Sequence, residues 1–352
     1  AFNISNQTAV RLRRLVANAP VVCEAVVGGR IGEGTLPIVV GVLPGQTDEE
    51  VLLNGHLYEI GANDNASGTG AILEAARLMA AMDRPRRRVR LQFTSECYGT
   101  YAYYTARPEL LKRTVAGLNV DGVGERQTER WRQPWYRTPM AAPSAVDTLM
   151  RAAFRLTEPL PGCLAVEERA HGLSDNVLCD PAAGVPMPTI MQAPWTWHTN
   201  LDDWTQLDPR SIRRGTVAVT AFVRWLAEAG PADADALAAD AAAEAVASLG
   251  EVADERRAFI ADRARAAVLW TERLGATQAA AAARPLEAID LASLVSEADG
   301  GEDERHTVPV RRFWGAPTFD EIPLADREGL ADPRWNGPLT AATYWADGRR
   351  SI

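Results

Sequence analysis

Residues 55–68 read GHLYEIGANDNASG. An apolar run, Val51-Leu52-Leu53, leads into them, and an Ala-rich run, GAILEAARLMAAM, follows closely. The first run reads as a buried strand and the second as a helix over residues 67–82. The glycines between them permit the tight turn from strand to helix, and Ser67 or Asn65 is placed to cap the helix. The turn holds His56 at the end of the strand and Asp64 just ahead of the helix. A neutral imidazole and a carboxylate on rigid elements suit a borderline-soft divalent ion such as zinc. The same residues also suit a plain capped loop carrying a surface histidine.

Outward from this stretch, strand and helix patterns alternate. A short helix is expected over 7–18, with strands at Val21–Val27, Ile38–Leu43 and from Glu50. A strand over Arg87–Thr94 ends at Ser95-Glu96, residues 100–112 read as helix, and Val115–Val120 is a strand ending at Asp121. Residues 122–142 read as a long loop, 144–156 as a helix capped by Ser144, 160–187 as irregular, and Pro188–Gln192 as a short strand. An amphipathic helix spans 208–229, with Pro209 in its first turn and Gly230-Pro231 as its stop. The alternation predicts an α/β sandwich on a largely parallel sheet.

At Pro231 the composition changes to Ala-rich, acidic and helical, which predicts a helical hairpin or coiled-coil-like appendage over 231–284. A mixed region follows from 285 to 352. The expected division is therefore 1–230, 231–284 and 285–352.

With 352 residues, 47% of them hydrophobic, the chain can bury a sizeable core. A net charge of −9 argues against a nucleic-acid backbone as partner. No apolar run has the length of a membrane helix, the first residues carry no signal-peptide pattern, and the four cysteines lack zinc-finger or redox spacing. The expectation is a reduced, cytoplasmic location with no membrane partner.

Four polar residues stand at or just after apolar strand runs: His56, Glu96, Asp121 and His198. In an open parallel sheet the C-terminal strand ends share one edge, where ligands bind, so these residues can converge. Two of the chain's four histidines fall in this set.

GANDNASG, the strand-ending Glu96, NVD at Asn119–Asp121, LSD at Leu173–Asp175 and WHTNLDDWTQLDP from Trp197 together resemble the zinc-dependent aminopeptidases with co-catalytic metals, of the bacterial leucyl aminopeptidase type. The agreement in order and spacing runs to about residue 229, and SECYGTYAY at Ser95–Tyr103 is similar to a less characterised aminopeptidase-like branch. The resemblance implies a three-layer αβα sandwich with a mixed, mainly parallel sheet. It implies that His56 and Asp121 hold one zinc, that Asp64 bridges two, that His198 holds the second, and that Glu96 is the general base.

Two positions depart from the family pattern. Cys97 stands where a second Glu usually ligates the second zinc; Cys97 is either a thiolate ligand or a small buried residue. Tyr58, with Glu59 beside it, stands where an Asp usually orients the first histidine. One or two zinc ions are thus expected. Asp175, Asn176 and Trp197 are candidate substrate contacts, with Trp195 and Trp204 also flanking His198, while His171 and His306 read as surface residues.

The expected function is hydrolysis of an amide bond next to a free amino group, in a peptide or peptide-like metabolite. The rivals are glutaminyl-cyclase-like acyl transfer on one zinc and a catalytically inactive peptidase fold that binds a partner. Self-association through the 231–284 helices is a further expectation.

Overall fold

The computed structural model describes residues 4–26, 28–30, 32–128, 132–160, 165–170 and 174–287. Most of the mixed region expected from residue 285, together with Cys163, His171, Leu173 and His306, lies outside these residues. The chain divides into two compact units between Pro37 and Ile38.

The first unit carries helix α1 (Asn6–Val16), capped by the Ser5 side chain, which accepts the Thr8 amide. The strand expected at Val21–Val27 is not found over residues 21–26, where Val22 and Val26 are exposed. A β-branched run makes a strand only where a neighbouring strand and an apolar face receive it.

The second unit is built on a seven-stranded sheet of order β1-β3-β2-β4-β7-β5-β6. Its strands are β1 (Val39–Leu43), β2 (Glu50–Leu57), β3 (Arg88–Ser95), β4 (Thr114–Asp121), β5 (Gln133–Tyr136), β6 (Ala165–Glu168) and β7 (Thr189–Met191). β3, β2, β4 and β7 run parallel, whereas β1 pairs antiparallel with β3 and β5 antiparallel with β7. The sheet is mixed and mainly parallel, as expected.

The side chains of β2 alternate between two cores, as strand geometry requires. Val51 and Leu53 join one cluster with Ala71, Ile72, Val219 and Phe222; Leu52 joins another with Tyr104, Leu178 and Met187. The first face is covered by α2 (Ala66–Ala80), α5 (Val146–Arg155) and α6 (Pro209–Glu228), and the second by α3 (Tyr98–Ala106), α4 (Glu109–Arg113) and a short turn of 3₁₀ helix at Asp175–Cys179. Burial on both faces explains why these strands read as continuous apolar runs.

Several local expectations are corrected. The helix expected over 100–112 is two helices broken at Pro108, whose ring and missing N–H end a helical ladder. β5 lies inside the expected loop 122–142, and β6 inside the irregular stretch 160–187. Each has four residues, and their mutual pairing supplies what the local sequence lacks. Ser144 makes no cap: α5 starts at Val146 with no side-chain cap bond.

Helix α6 is followed by α7 (Pro231–Leu249), α8 (Asp254–Leu269) and α9 (Ala279–Glu287). The apolar faces of these helices continue the sheet's first core through Ala234, Leu237, Ala241, Val268, Ala279 and Leu286. Arg87 ties the parts together. Fully buried at the head of β3, it donates from Nη1 to the carbonyls of Leu226 and Ala229, and from Nη2 to that of Leu274.

Candidate metal centre at the carboxyl ends of the parallel strands

The carboxyl ends of β2, β3 and β4 deliver His56, Glu96 and Asp121 to one edge of the sheet. Asp64 arrives from the loop between β2 and α2, and His198 from the loop after β7. Residues separated by up to 142 positions in sequence therefore meet because parallel strands end together.

His56 is the centre. Its Nε2 lies 3.0 Å from Asp121 Oδ1 and 3.3 Å from Asp64 Oδ1, and all three side chains are buried. Burial would push the ring towards the neutral form, but its bonds to Asp121 and Asp64 outweigh that effect and raise its pKa to about 11. Asp64 then reaches the other way, its Oδ2 3.3 Å from His198 Nε2. Burial also acts against the charged Asp64, but the bonds from His56 and Glu59 win and lower its pKa.

Glu96 follows β3 at the same edge. Ligand atoms of His56, Glu96 and Asp121 lie within 4.8 Å of one another, and so do those of His56, Glu59 and Asp64. Burial first, and the charge of Asp121 second, raise Glu96 to about 8.

The loop that carries Asp64 is set by bonds that sequence reasoning missed. Asp202 accepts the backbone N–H of Asn63 and of Asp64, at 2.7 and 3.0 Å. Gly61 is needed here, because a Cβ would collide with the Asp202 carboxylate and the Asp64 carbonyl. Asn65 and Ser67, expected as helix caps, turn instead to the end of β4. Asn65 donates to the Val120 carbonyl and accepts the Gly122 N–H, and Ser67 Oγ accepts the Val123 N–H. Asp121 is fixed in turn by Ser174 Oγ, which donates to its Oδ2 at 2.7 Å and accepts from Asn119 Nδ2. The sequence signal for this relay was present in NVD and in LSD, yet only the fold shows that the two segments touch.

Asp175, expected to contact substrate, is fully buried and has a different part. Its Oδ1 accepts the Cys97 N–H at 3.0 Å and the Thr100 hydroxyl at 2.8 Å, bracing the turn that carries Glu96. Asn176 is buried beside it, which leaves neither side chain open to solvent. Trp197 is partly exposed and stacks on the His198 ring at 3.8 Å between centroids; Trp195 and Trp204 are more exposed still.

Three non-glycine residues adopt positive φ among the described residues: Tyr58 at 72°, Cys97 at 54° and His198 at 55°. All three border this centre, where the surrounding structure holds residues in conformations they otherwise avoid. The Cys97 sulfur belongs to neither group of converging ligand atoms among the described residues. Tyr58 points outward, and His56 Nδ1, buried, has no hydrogen-bond partner, which follows from the missing Asp at that place.

The donor set fits a divalent cation. Four carboxylates (Glu59, Asp64, Glu96, Asp121) surround two imidazoles, and buried His56 Nδ1 has no hydrogen-bond partner. Buried charge of one sign is costly unless a counter-charge satisfies it. Two nitrogens and several carboxylate oxygens are donors that zinc accepts.

The sequence profile of peptidase family M28 matches residues 38–223, just over half of the 352. The chain belongs to peptidase family M28. This match covers β1 to most of α6, and so contains every residue of the centre. Among curated proteins no sequence matches the chain significantly.

Solved structures similar to this M28 chain include the aminopeptidase from Aneurinibacillus sp. strain AM-1, at 21% identity and a TM-score of 0.46, over 55% of this chain and 48% of that one. The zinc aminopeptidase BSAP from Bacillus subtilis aligns at 20% identity and a TM-score of 0.46, over 54% and 50%. Glutaminyl cyclase from Porphyromonas gingivalis aligns at 18% identity and a TM-score of 0.44, over 53% and 76%. The chain spans about half the length of the two aminopeptidases. No helix among the described residues is long and apolar enough to cross a membrane.

Proposed function

We propose that this M28 member is a zinc-dependent hydrolase that cleaves the amide bond next to a free amino group. The substrate is a peptide or a small peptide-like metabolite. The observation that carries the reading is that His56 stands at the meeting of two groups of ligand atoms, one with Glu96 and Asp121 and one with Glu59 and Asp64.

In this proposal His56 and Asp121 hold one zinc, and Asp64 and His198 extend the site towards a second. Bound zinc supplies a polarising charge for the scissile carbonyl and lowers the pKa of a water ligand to about 7. Glu96 accepts the proton of the attacking water and delivers it to the departing amine, so it ends the cycle as it began. Burial and the charge of Asp121 raise Glu96 to about 8 in the metal-free protein, and a bound cation would lower it towards the ionised form that takes the water proton. Ser174 keeps Asp121 oriented through the 2.7 Å bond to its Oδ2. Trp197, stacked on His198 and partly exposed, supplies an apolar wall.

The test is release of amine from a panel of aminoacyl anilides and dipeptides, before and after chelation and zinc repletion. Cleavage that chelation abolishes and zinc restores supports the reading. Conversion of an N-terminal glutaminyl peptide to its cyclised product, without hydrolysis, replaces it with acyl transfer. Zinc-free protein that cleaves nothing supports a binding role on a peptidase fold. A cytoplasmic location, and self-association through the helices after Pro231, belong to the same proposal; light scattering tests the second.

A further inference from the structure

The position after Glu96, where the resembled family places a second carboxylate, is Cys97. The Cys97 sulfur is outside both groups of converging ligand atoms among the described residues. A carboxylate from another segment does approach His198. Glu59 Oε2 lies 3.5 Å from His198 Nε2, and Asp64 Oδ2 lies 3.3 Å from that nitrogen.

The loop is built to bring Glu59 inward. After β2 the chain turns through Tyr58, at a φ of 72° that a bulky side chain rarely adopts. The outcome inverts the ordinary preference of these residues for water. Ile60 is fully exposed and the Tyr58 side chain half exposed, while the Glu59 side chain is 30% exposed and turned to Asp64. Exposing an isoleucine while drawing a carboxylate towards a buried aspartate is unfavourable unless a proton or a cation joins the two carboxylates, and the His198 nitrogen beside both is the donor a metal cation would add. Asp64, 4% exposed, divides its two oxygens between the two histidines, with Oδ1 3.3 Å from His56 Nε2 and Oδ2 3.3 Å from His198 Nε2, so it can join a first and a second ion.

We propose that Glu59 takes over the role of the missing carboxylate: Glu59, Asp64 and His198 form a second divalent-cation site, three residues downstream of His56 in the chain rather than next to the base. The proposal rests on the metal-hydrolase reading above and names the residue that completes its second site. One imidazole and two carboxylates suit zinc and equally manganese or cobalt. Cys97 then serves the backbone turn that Asp175 braces, with its thiol uninvolved.

The experiment is zinc content per chain after equilibrium dialysis, on wild type, Glu59→Gln and Cys97→Ser, with far-UV circular dichroism as the folding check. The cobalt(II)-substituted protein is examined for a thiolate charge-transfer band. Two zinc ions in wild type and in Cys97→Ser, one in Glu59→Gln, and no thiolate band is the expected result. Loss of one ligand should weaken the second ion by at least tenfold to a hundredfold. Two ions retained in Glu59→Gln, or one lost in Cys97→Ser together with a thiolate band in the wild type, overturns the proposal. One zinc in wild type also overturns it, yet leaves the hydrolase reading standing on His56 and Asp121. No zinc in wild type removes both.

Discussion

The two carboxylate oxygens of Asp202 accept the backbone N–H groups of Asn63 and Asp64, so one side chain fixes the direction of the loop that presents Asp64 to His56 and His198. The Asp202 carbonyl also accepts the Ala62 N–H, which makes three consecutive amides dependent on one residue. Asp202→Ala is expected to lower zinc affinity about tenfold to a hundredfold, the usual size for loss of a residue that orients ligands. Asp202→Asn, which keeps one acceptor, should fall in between. Competition against a fluorescent chelator measures both.

Glu96→Gln removes the proton carrier and keeps the shape of the side chain. Turnover should fall by about 10²- to 10⁴-fold, while zinc bound by His56 and Asp121 stays in place. Steady-state kinetics paired with elemental analysis checks this. A variant that loses zinc as well as activity would make Glu96 a ligand.

The pH dependence of zinc binding follows from His56. Its pKa in the metal-free protein, about 11, stands above the ordinary 6.5. The proton therefore contributes stability to the metal-free fold that is fully present below about 6.5 and lost as pH rises through about 11. Zinc must displace that proton, so apparent affinity should rise about tenfold per pH unit between pH 8 and 10. Calorimetry in buffers of different ionisation enthalpy should find about one proton released per zinc near pH 9. Zero release would mean that His56 is neutral before zinc arrives.

Arg87→Ala leaves the carbonyls of Leu226, Ala229 and Leu274 without their donor, and frees Glu49 from its 3.0 Å contact with Nε. Leaving buried carbonyls without a donor costs about 1–3 kcal/mol, while Glu49, more than a third exposed, is rehydrated at little cost. Urea unfolding should show a stability loss of that size, read as a lower midpoint at unchanged slope. Arg87→Lys should recover only part, since one ammonium cannot reach three carbonyls and a carboxylate as a guanidinium does.

His56, Glu96 and Asp121 were legible because each closes an apolar run that a parallel sheet buries on both faces, and Asp64 because glycines and a helix start frame it. Asp202, Ser174 and Glu59 were not. Each acts across a loop whose path is set by contacts with distant segments, so the motifs that contain Ser174 and Asp202 name the residues but not what they touch. The strands β5 and β6 escaped for a related reason, since four residues with Pro134 among them show no alternation. Asp175 was read as a substrate contact because it sits in a motif; its burial makes it a brace for the turn at Cys97.

The core that supports the strand ends does not stop where the family match stops, at residue 223. Ala234, Leu237 and Ala241 fill the same first-face cluster as Val219 and Phe222, and the Leu274 carbonyl completes the coordination of Arg87. A gene fragment cut to the matched region would translate into a polypeptide with an apolar wound and a stranded guanidinium. The heritable unit of this scaffold, the piece that can be shuffled or expressed whole, therefore reaches at least through α9.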